Sequence, residues 1–351
     1  MKHLVDLKDF SLDEVKKILD EAFIIKKNPS LFSENMKGKI LATIFFEPST
    51  RTQFSFQTAI YKLGGQNIGF SNSSNSSVSK GENFKDTIKI VSSYADILVI
   101  RHPLAGAALA ASFFSSCPII NAGDGGHLHP TQTLTDIFTI LEEKKTLNGL
   151  SIGLCGDLKF SRTINSLVEF LIRFKENEFF LISSENFKIS SKIKKEIINS
   201  KNKLIETVFL QDVIDKLDVL YMTRMQKERF LKEDLTSFEY VNLSKKMLEF
   251  AKKDLIIMHP LPKNKEIDFD VDEDCRAVYF KQALNGVFVR MALINFIVNL
   301  SGGFKAVGES CDIICSNKSC ITNHEEYLPK LYIKNGEKMY CEYCGELNVK
   351  D

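Results

Sequence analysis

Seven short apolar runs recur along this 351-residue chain: "KILATIFFE", "ADILVIR", "PIINAGD", "LSIGLCGDL", "EFFLISS", "DVLYMTR" and "LIIMHPLP". Most are followed by an amphipathic segment of helix length. A run that short, apolar on both faces, reads as a buried strand. Strands spaced by helices pair in parallel, because a parallel pair needs a long crossover connection. The pattern therefore predicts an α/β chain built on doubly wound parallel sheets.

The length is enough for a large core and two or three domains. Lys+Arg 46 against Asp+Glu 45 leaves a formal charge of +1, so no global field favours nucleic acid or membrane. No apolar run reaches the ~18 residues of a membrane span, and "MKHLVDLKDFSLDEVKK" lacks a signal-peptide core. A cytoplasmic chain without nucleic-acid or membrane partners is expected. "SNSSNSSVSK" (71–80) reads as a linker or loop. The Lys-rich "KISSKIKKEIINSKNK" has no interleaved aromatics and reads as a solvated helix face.

Arginines cluster where the runs end. "KILATIFFE" leads into "PSTRT" with Arg51, "ADILVIR" ends at Arg101, "LSIGLCGDLKFSR" delivers Arg162, and "DVLYMTRMQ" delivers Arg224 and Gln226. "PIINAGDGGHLHPTQ" brings His129 and Gln132, and "LIIMHPLP" ends at Leu261 and Pro262. In open α/β sheets ligands bind beyond the carboxyl ends of strands, which points these residues toward one crevice. The planar guanidinium suits phosphate and carboxylate. "PSTRTQFSFQTAIYKLGG" reads as a helix opened by Ser/Thr and closed by Gly64 and Gly65, whose first amides offer an anion site. It lacks the Gly-x4-Gly-Lys of a nucleotide loop, and no nucleophile–base pair or catalytic metal set is evident. The residues ask for a phosphorylated substrate and a carboxylated one, joined by positioning and electrostatics without a catalytic cofactor.

The C-terminus is different in kind. Five of eight cysteines fall in residues 311–344, and Cys315, Cys320, Cys341 and Cys344 form C-x4-C and C-x2-C pairs 20 residues apart. That spacing resembles the paired knuckles of a structural zinc site, with two disulfides as the alternative.

"FFEPSTRT", "RHP", "HPTQTLTDIFTI", "GDLKFSRT", "YMTRMQKER" and "HPLP", in that order over about residues 1–300, resemble the catalytic chain of aspartate carbamoyltransferase. The tail resembles the zinc domain of that enzyme's regulatory chain. The resemblance implies a carbamoyl-phosphate domain (1–144 and 285–304), an aspartate domain (145–284) and a zinc domain (305–351). It implies transfer of a carbamoyl group from carbamoyl phosphate to L-aspartate, giving N-carbamoyl-L-aspartate and phosphate in pyrimidine synthesis.

Residue by residue, the resemblance implies that Ser49, Thr50, Arg51 and Thr52 hold the phosphate, with Arg101. Thr52, Arg101 and His129 polarise the carbamoyl carbonyl. Gln132 and the carbonyls of Leu261 and Pro262 fix the carbamoyl nitrogen and the attacking amine. Arg162, Arg224 and Gln226 grip the aspartate carboxylates. Ser77 and Lys80 reach into the site of a neighbouring subunit in a homotrimer. Glu47 and Arg229 match the family's domain-closure partners. Ornithine carbamoyltransferase, the nearest rival, usually carries "HCLP" and lacks the Arg-x-Gln pair, and Arg224 would repel ornithine's cation. A non-catalytic zinc-bearing interaction protein is opposed by the filled catalytic positions. The sequence leaves open whether the zinc domain packs on its own chain.

Overall fold

The computed structural model describes residues 2–72, 77–224, 242–300 and 306–348. The chain divides into two compact units, Met1–Thr131 with Gly286–Asp351 and Gln132–Asn285.

In the first unit, β1 (Ile40–Phe45), β2 (Gln66–Phe70), β3 (Ile97–His102) and β4 (Ile119–Asp124) form a parallel sheet in the order β2-β1-β3-β4. Helix α1 (Leu12–Lys27) precedes the sheet, and α2 (Thr50–Lys62), α3 (Phe84–Tyr94) and α4 (Ala107–Ser112) follow β1, β2 and β3. The start of α1 is fixed by a reciprocal capping box between Ser11 and Glu14, and it buries Val15, Ile18, Leu19, Ala22 and Ile25. Those positions recur at the three-to-four spacing of one helix face.

Helix α5 (Pro130–Lys144) leads into the second unit. There β5 (Ser151–Cys155), β6 (Glu178–Ile182), β7 (Lys203–Thr207), β8 (Val219–Met222) and β9 (Ile256–Met258) pair in parallel as β7-β6-β5-β8-β9. α6 (Arg162–Leu171) follows β5 and α7 (Ser191–Asn199) follows β6. The Lys-rich segment contains α7, which buries Ile193 and Ile197, exposes Lys192 and Lys195, and pairs half-buried Lys194 with Glu206 at 2.7 Å. α8 (Tyr279–Val298) returns the chain to the first unit.

All seven apolar runs are strands, but β2 and β7 are additional. Both lie at a sheet edge and expose part of their length, so neither needs an apolar run. β2 is tied in by polar side chains: Asn67 Nδ2 donates to the Leu41 carbonyl at 2.9 Å and Gln57 Nε2 donates to Asn67 Oδ1 at 2.9 Å. At Gly69 (φ +138°) a Cβ would sit 1.9 Å from the Thr43 carbonyl oxygen, so only glycine brings this strand so close.

The C-terminal module is an antiparallel sheet of β10 (Glu309–Ser310), β11 (Leu331–Asn335), β12 (Lys338–Cys341) and β13 (Leu347–Asn348), in sequence order. It packs on its own chain. Ala105 N–H donates to the Ser319 carbonyl and Ile321 N–H to the Ala105 carbonyl, both at 2.9 Å. Tyr327 Oη accepts from the Lys85 amide at 2.9 Å, and the rings of Phe114 and Tyr327 meet edge to face at 5.8 Å. One apolar core runs from Ala107–Ala111 and Ile119 to Ile321, Tyr332 and Tyr343. Among the described residues no helix is long and apolar enough to cross a membrane.

Candidate active site and metal centre

The strand orders explain why the arginines stand where they do. In the first unit the chain leaves β1 for β2 on one side and returns to β3 on the other, so the order reverses between β1 and β3. Their carboxyl ends are in register at Phe45 and Arg101. Such a reversal opens a crevice, because the loops leave the two strands in opposite directions. Ser49 caps α2 just beyond β1 and its side chain makes no cap hydrogen bond. Thr50 and Arg51 are exposed on the first turn and Thr52 is buried. The first amides of an α-helix have no intrahelical acceptor, which suits such an N-terminus to an anion.

Arg101 is buried at the end of β3. It donates from Nη1 to the Ala122 carbonyl at 3.3 Å, and its Nη2 lies 3.4 Å from Glu47 Oε2. Glu47, expected as a closure partner, is here the carboxylate that holds Arg101. Arg229 and Gln226 lie outside the described residues. Beside Arg101, burial holds His102 down to about 4, so its imidazole is neutral and Nδ1 accepts from the Leu104 amide at 3.1 Å.

His129 follows β4 and is buried immediately before Pro130, the first residue of α5. Asp124 organises this loop. Its Oδ1 accepts from the Leu128 amide at 3.2 Å and its Oδ2 from the Gly106 amide at 2.7 Å. Ser77 and Lys80 are exposed on a single 3-10 turn, Ser77–Lys80.

The second unit repeats the plan. Its order reverses between β5 and β8, whose ends pair at Cys155 and Met222. Arg162 opens α6 beyond β5 and is buried, while half-buried Arg224 stands two residues beyond β8. Thr223 joins the two ends, donating its amide to the Cys155 carbonyl at 2.9 Å. Gly156 (φ +113°) makes that approach possible, since a Cβ would lie 2.4 Å from the Thr223 carbonyl oxygen.

Leu261 and Pro262 follow β9. Leu261 donates its amide to His259 Nδ1 at 2.8 Å, which places the ring proton on Nε2, 2.9 Å from Glu266 Oε1. Burial works against charge on Glu266, but the His259 hydrogen bond and its backbone hydrogen bonds hold it below the usual carboxylate range. Gln132, in the first turn of α5, donates Nε2 to Asp136 Oδ1 at 2.7 Å. His259, Glu266, Asp136 and Asp124 hydrogen-bond around the expected site positions, and sequence reading did not single them out. The one available signal was the four-residue spacing of Gln132 and Asp136 on a helix.

Two family models together match most of the chain. The carbamoyl-phosphate-binding domain of aspartate/ornithine carbamoyltransferases matches residues 2–142, and their Asp/Orn-binding domain matches 148–297. The catalytic subunit of aspartate carbamoyltransferase from Clostridium acetobutylicum is 52% identical over 300 residues, 84% of this chain and 96% of the relative. This chain belongs to the aspartate carbamoyltransferase family. It is a transferase that forms carbamoyl aspartate in pyrimidine synthesis.

Solved structures agree. The aspartate carbamoyltransferase catalytic subunit of M. jannaschii superposes with a TM-score of 0.78 at 44% identity, covering 85% of this chain and 98% of its own. The Trypanosoma cruzi enzyme, solved in complex with carbamoyl phosphate and aspartate, gives 0.80 at 36% identity over 84% of this chain and 96% of its own.

The metal-binding domain of the aspartate carbamoyltransferase regulatory chain matches residues 309–351, beyond the two domains matched above. Here the sulfurs of Cys315, Cys320, Cys341 and Cys344 lie within 4.8 Å of one another, all buried. Cys315 and Cys344 approach to 3.5 Å and Cys320 and Cys341 to 3.8 Å, and none is in a disulfide. Four soft donors converging on one buried point fit a tetrahedral metal ion. Thr322 Oγ1, 3.2 Å from Cys320 Sγ, supports the donor set from outside.

Proposed function

We propose that the strand-end groups divide the substrates between the units. Ser49, Thr50, Arg51 and Thr52, with Arg101, hold the phosphate of carbamoyl phosphate. Thr52, Arg101 and His129 polarise its carbonyl and stabilise the tetrahedral oxyanion. Gln132 and the carbonyls of Leu261 and Pro262 accept hydrogen bonds from the carbamoyl nitrogen. Arg162, Arg224 and Gln226 bind the carboxylates of L-aspartate. The neutral aspartate amine attacks the carbonyl carbon, the carbon–oxygen bond to phosphate breaks, and the amine proton leaves with the phosphate. The observation that carries this reading is the placement of paired arginines at the strand-order reversal of each sheet.

The four cysteines hold zinc in a structural role. Bonds of ~2.3 Å to a tetrahedral ion space sulfurs by about 3.8 Å, close to the Cys315–Cys344 and Cys320–Cys341 separations. No open coordination position remains for substrate. The working assembly is a cytoplasmic homotrimer in which Ser77 and Lys80 serve the site of a neighbouring subunit. Colorimetric detection of carbamoyl aspartate made by purified protein tests the reading. Wild-type turnover that survives Arg51→Ala and His129→Ala unchanged would refute the assigned roles.

A further inference from the structure

Three buried polar residues of the second unit, Asp136, Tyr221 and Gln282, have no part in the roles assigned above. Asp136, Tyr221 and Gln282 are each 0% exposed. Asp136 Oδ1 accepts from Gln132 Nε2 at 2.7 Å and from Gln282 Nε2 at 2.6 Å, and its Oδ2 accepts from Tyr221 Oη at 2.9 Å. Gln282 Oε1 in turn accepts the His259 amide at 3.0 Å, and His259 Nδ1 accepts the Leu261 amide at 2.8 Å. Burial, with the Asp136 charge beside it, pushes the Tyr221 hydroxyl well above its ordinary value, so it stays a donor.

A carboxylate only accepts hydrogen bonds. Both glutamines must therefore turn their NH2 groups toward Asp136 and their oxygens away from it. For Gln282 that oxygen holds the His259 backbone, and through it the Leu261–Pro262 turn. For Gln132 it leaves Oε1, an acceptor, on the side away from Asp136. One carboxylate thereby sets the amide orientation of Gln132 and anchors the turn that carries the Leu261 and Pro262 carbonyls.

We propose that Asp136 is a specificity-positioning residue: through Gln132 and through Gln282–His259 it fixes a set of acceptors that demands an NH2 group on the acyl phosphate. The proposal rests on the assignment of Gln132, Leu261 and Pro262 to the carbamoyl nitrogen. An acyl phosphate with a methyl group in that place has the same size and no donor. It leaves these acceptors unpaired, which is the means by which hydrogen-bonding sites reject near-isosteres.

The test is competition between carbamoyl phosphate and acetyl phosphate, read as the ratio of their affinities, with inorganic phosphate as the control ligand. Asp136→Ala frees both glutamines and is expected to cut the ratio by about 10–100-fold, with phosphate affinity unmoved. Asp136→Asn is expected to retain most of the ratio. Its oxygen still accepts both glutamine amides while its NH2 donates to the Tyr221 oxygen, a rescue that a merely steric role does not give. If Asp136→Ala does not fold, Gln282→Met, which cuts the arm to His259, is read in the same assay and is expected to lower the ratio by about 2–10-fold. A wild-type ratio in either folded variant overturns the proposal, as does Asp136→Asn losing as much as Asp136→Ala. A wild-type protein that binds acetyl phosphate as well as carbamoyl phosphate instead removes the nitrogen-site assignment, and the proposal with it.

Discussion

Ala105 and Cys320 lie side by side as a one-residue parallel bridge, so a backbone just beyond Arg101 is hydrogen-bonded to the residues on either side of a metal ligand. The ligand cluster and the α4 region share one core, in which Ala107, Ala108, Ala110 and Ala111 are each 0% exposed. A six-residue helix of small apolar residues has no such burial to offer without cover, which β3, β4, α3 and the metal module supply together.

Metal removal should therefore loosen more than the tail. Metal binding contributes roughly 10–16 kcal/mol to ordering modules of this kind. Cys344→Ser, or chelation to completion, is expected to lower the melting temperature and to raise amide hydrogen exchange through 105–112. An unaltered exchange pattern in protein proven to be metal-free would contradict the shared core.

The docking contact at Gly106 can be tested without touching a ligand. Gly106 has φ +84°, and a Cβ there would lie 2.4 Å from Tyr343 Cβ and 2.7 Å from the Tyr343 carbonyl oxygen. Positive φ on a residue with a side chain, added to overpacking, makes Gly106→Ala cost about 2–4 kcal/mol. Denaturant unfolding measures this, and a midpoint equal to wild type would mean that the module is held elsewhere.

In the second unit, Arg224→Ala is expected to raise the Michaelis constant for aspartate while carbamoyl phosphate binding stays nearly intact. Loss of a charge-assisted pair weakens transition-state binding by about 1.5–3 kcal/mol or more. Steady-state kinetics with each substrate varied in turn decides it, and an unchanged aspartate constant removes Arg224 from the clamp.

The legible parts of this molecule are those written in contiguous residues. Buried strands such as β3 announce themselves because both faces are covered, and the strand-end positions of Arg101 and Arg224 are legible because each directly ends or follows such a run. β2 and β7 were not, since an edge strand with exposed positions needs no apolar run. The Asp136 network was invisible for another reason: its partners Tyr221 and Gln282 lie 85 and 146 residues further along the chain. Likewise "LAGAALAASFF" reads as generic apolar sequence, and only folding shows that the same chain's metal module covers it.

Lys80 and His129 contrast within one unit: Lys80 is exposed on the Ser77–Lys80 turn, and His129 is buried ahead of α5. The proposed trimer assigns the exposed cation to the site of a neighbouring subunit and the buried histidine to that of its own chain. If so, Lys80→Ala and His129→Ala proteins, each inactive alone, should regain activity when their subunits are exchanged. A site then needs Lys80 from a His129→Ala chain and His129 from a Lys80→Ala chain, and random equal mixing in a cyclic trimer makes about one site in four intact. Recovery approaching that fraction of wild-type turnover, growing as exchange proceeds, is the expected result. Absence of recovery after mass spectrometry has shown mixed trimers would place Lys80 in its own chain's site, or outside the chemistry altogether.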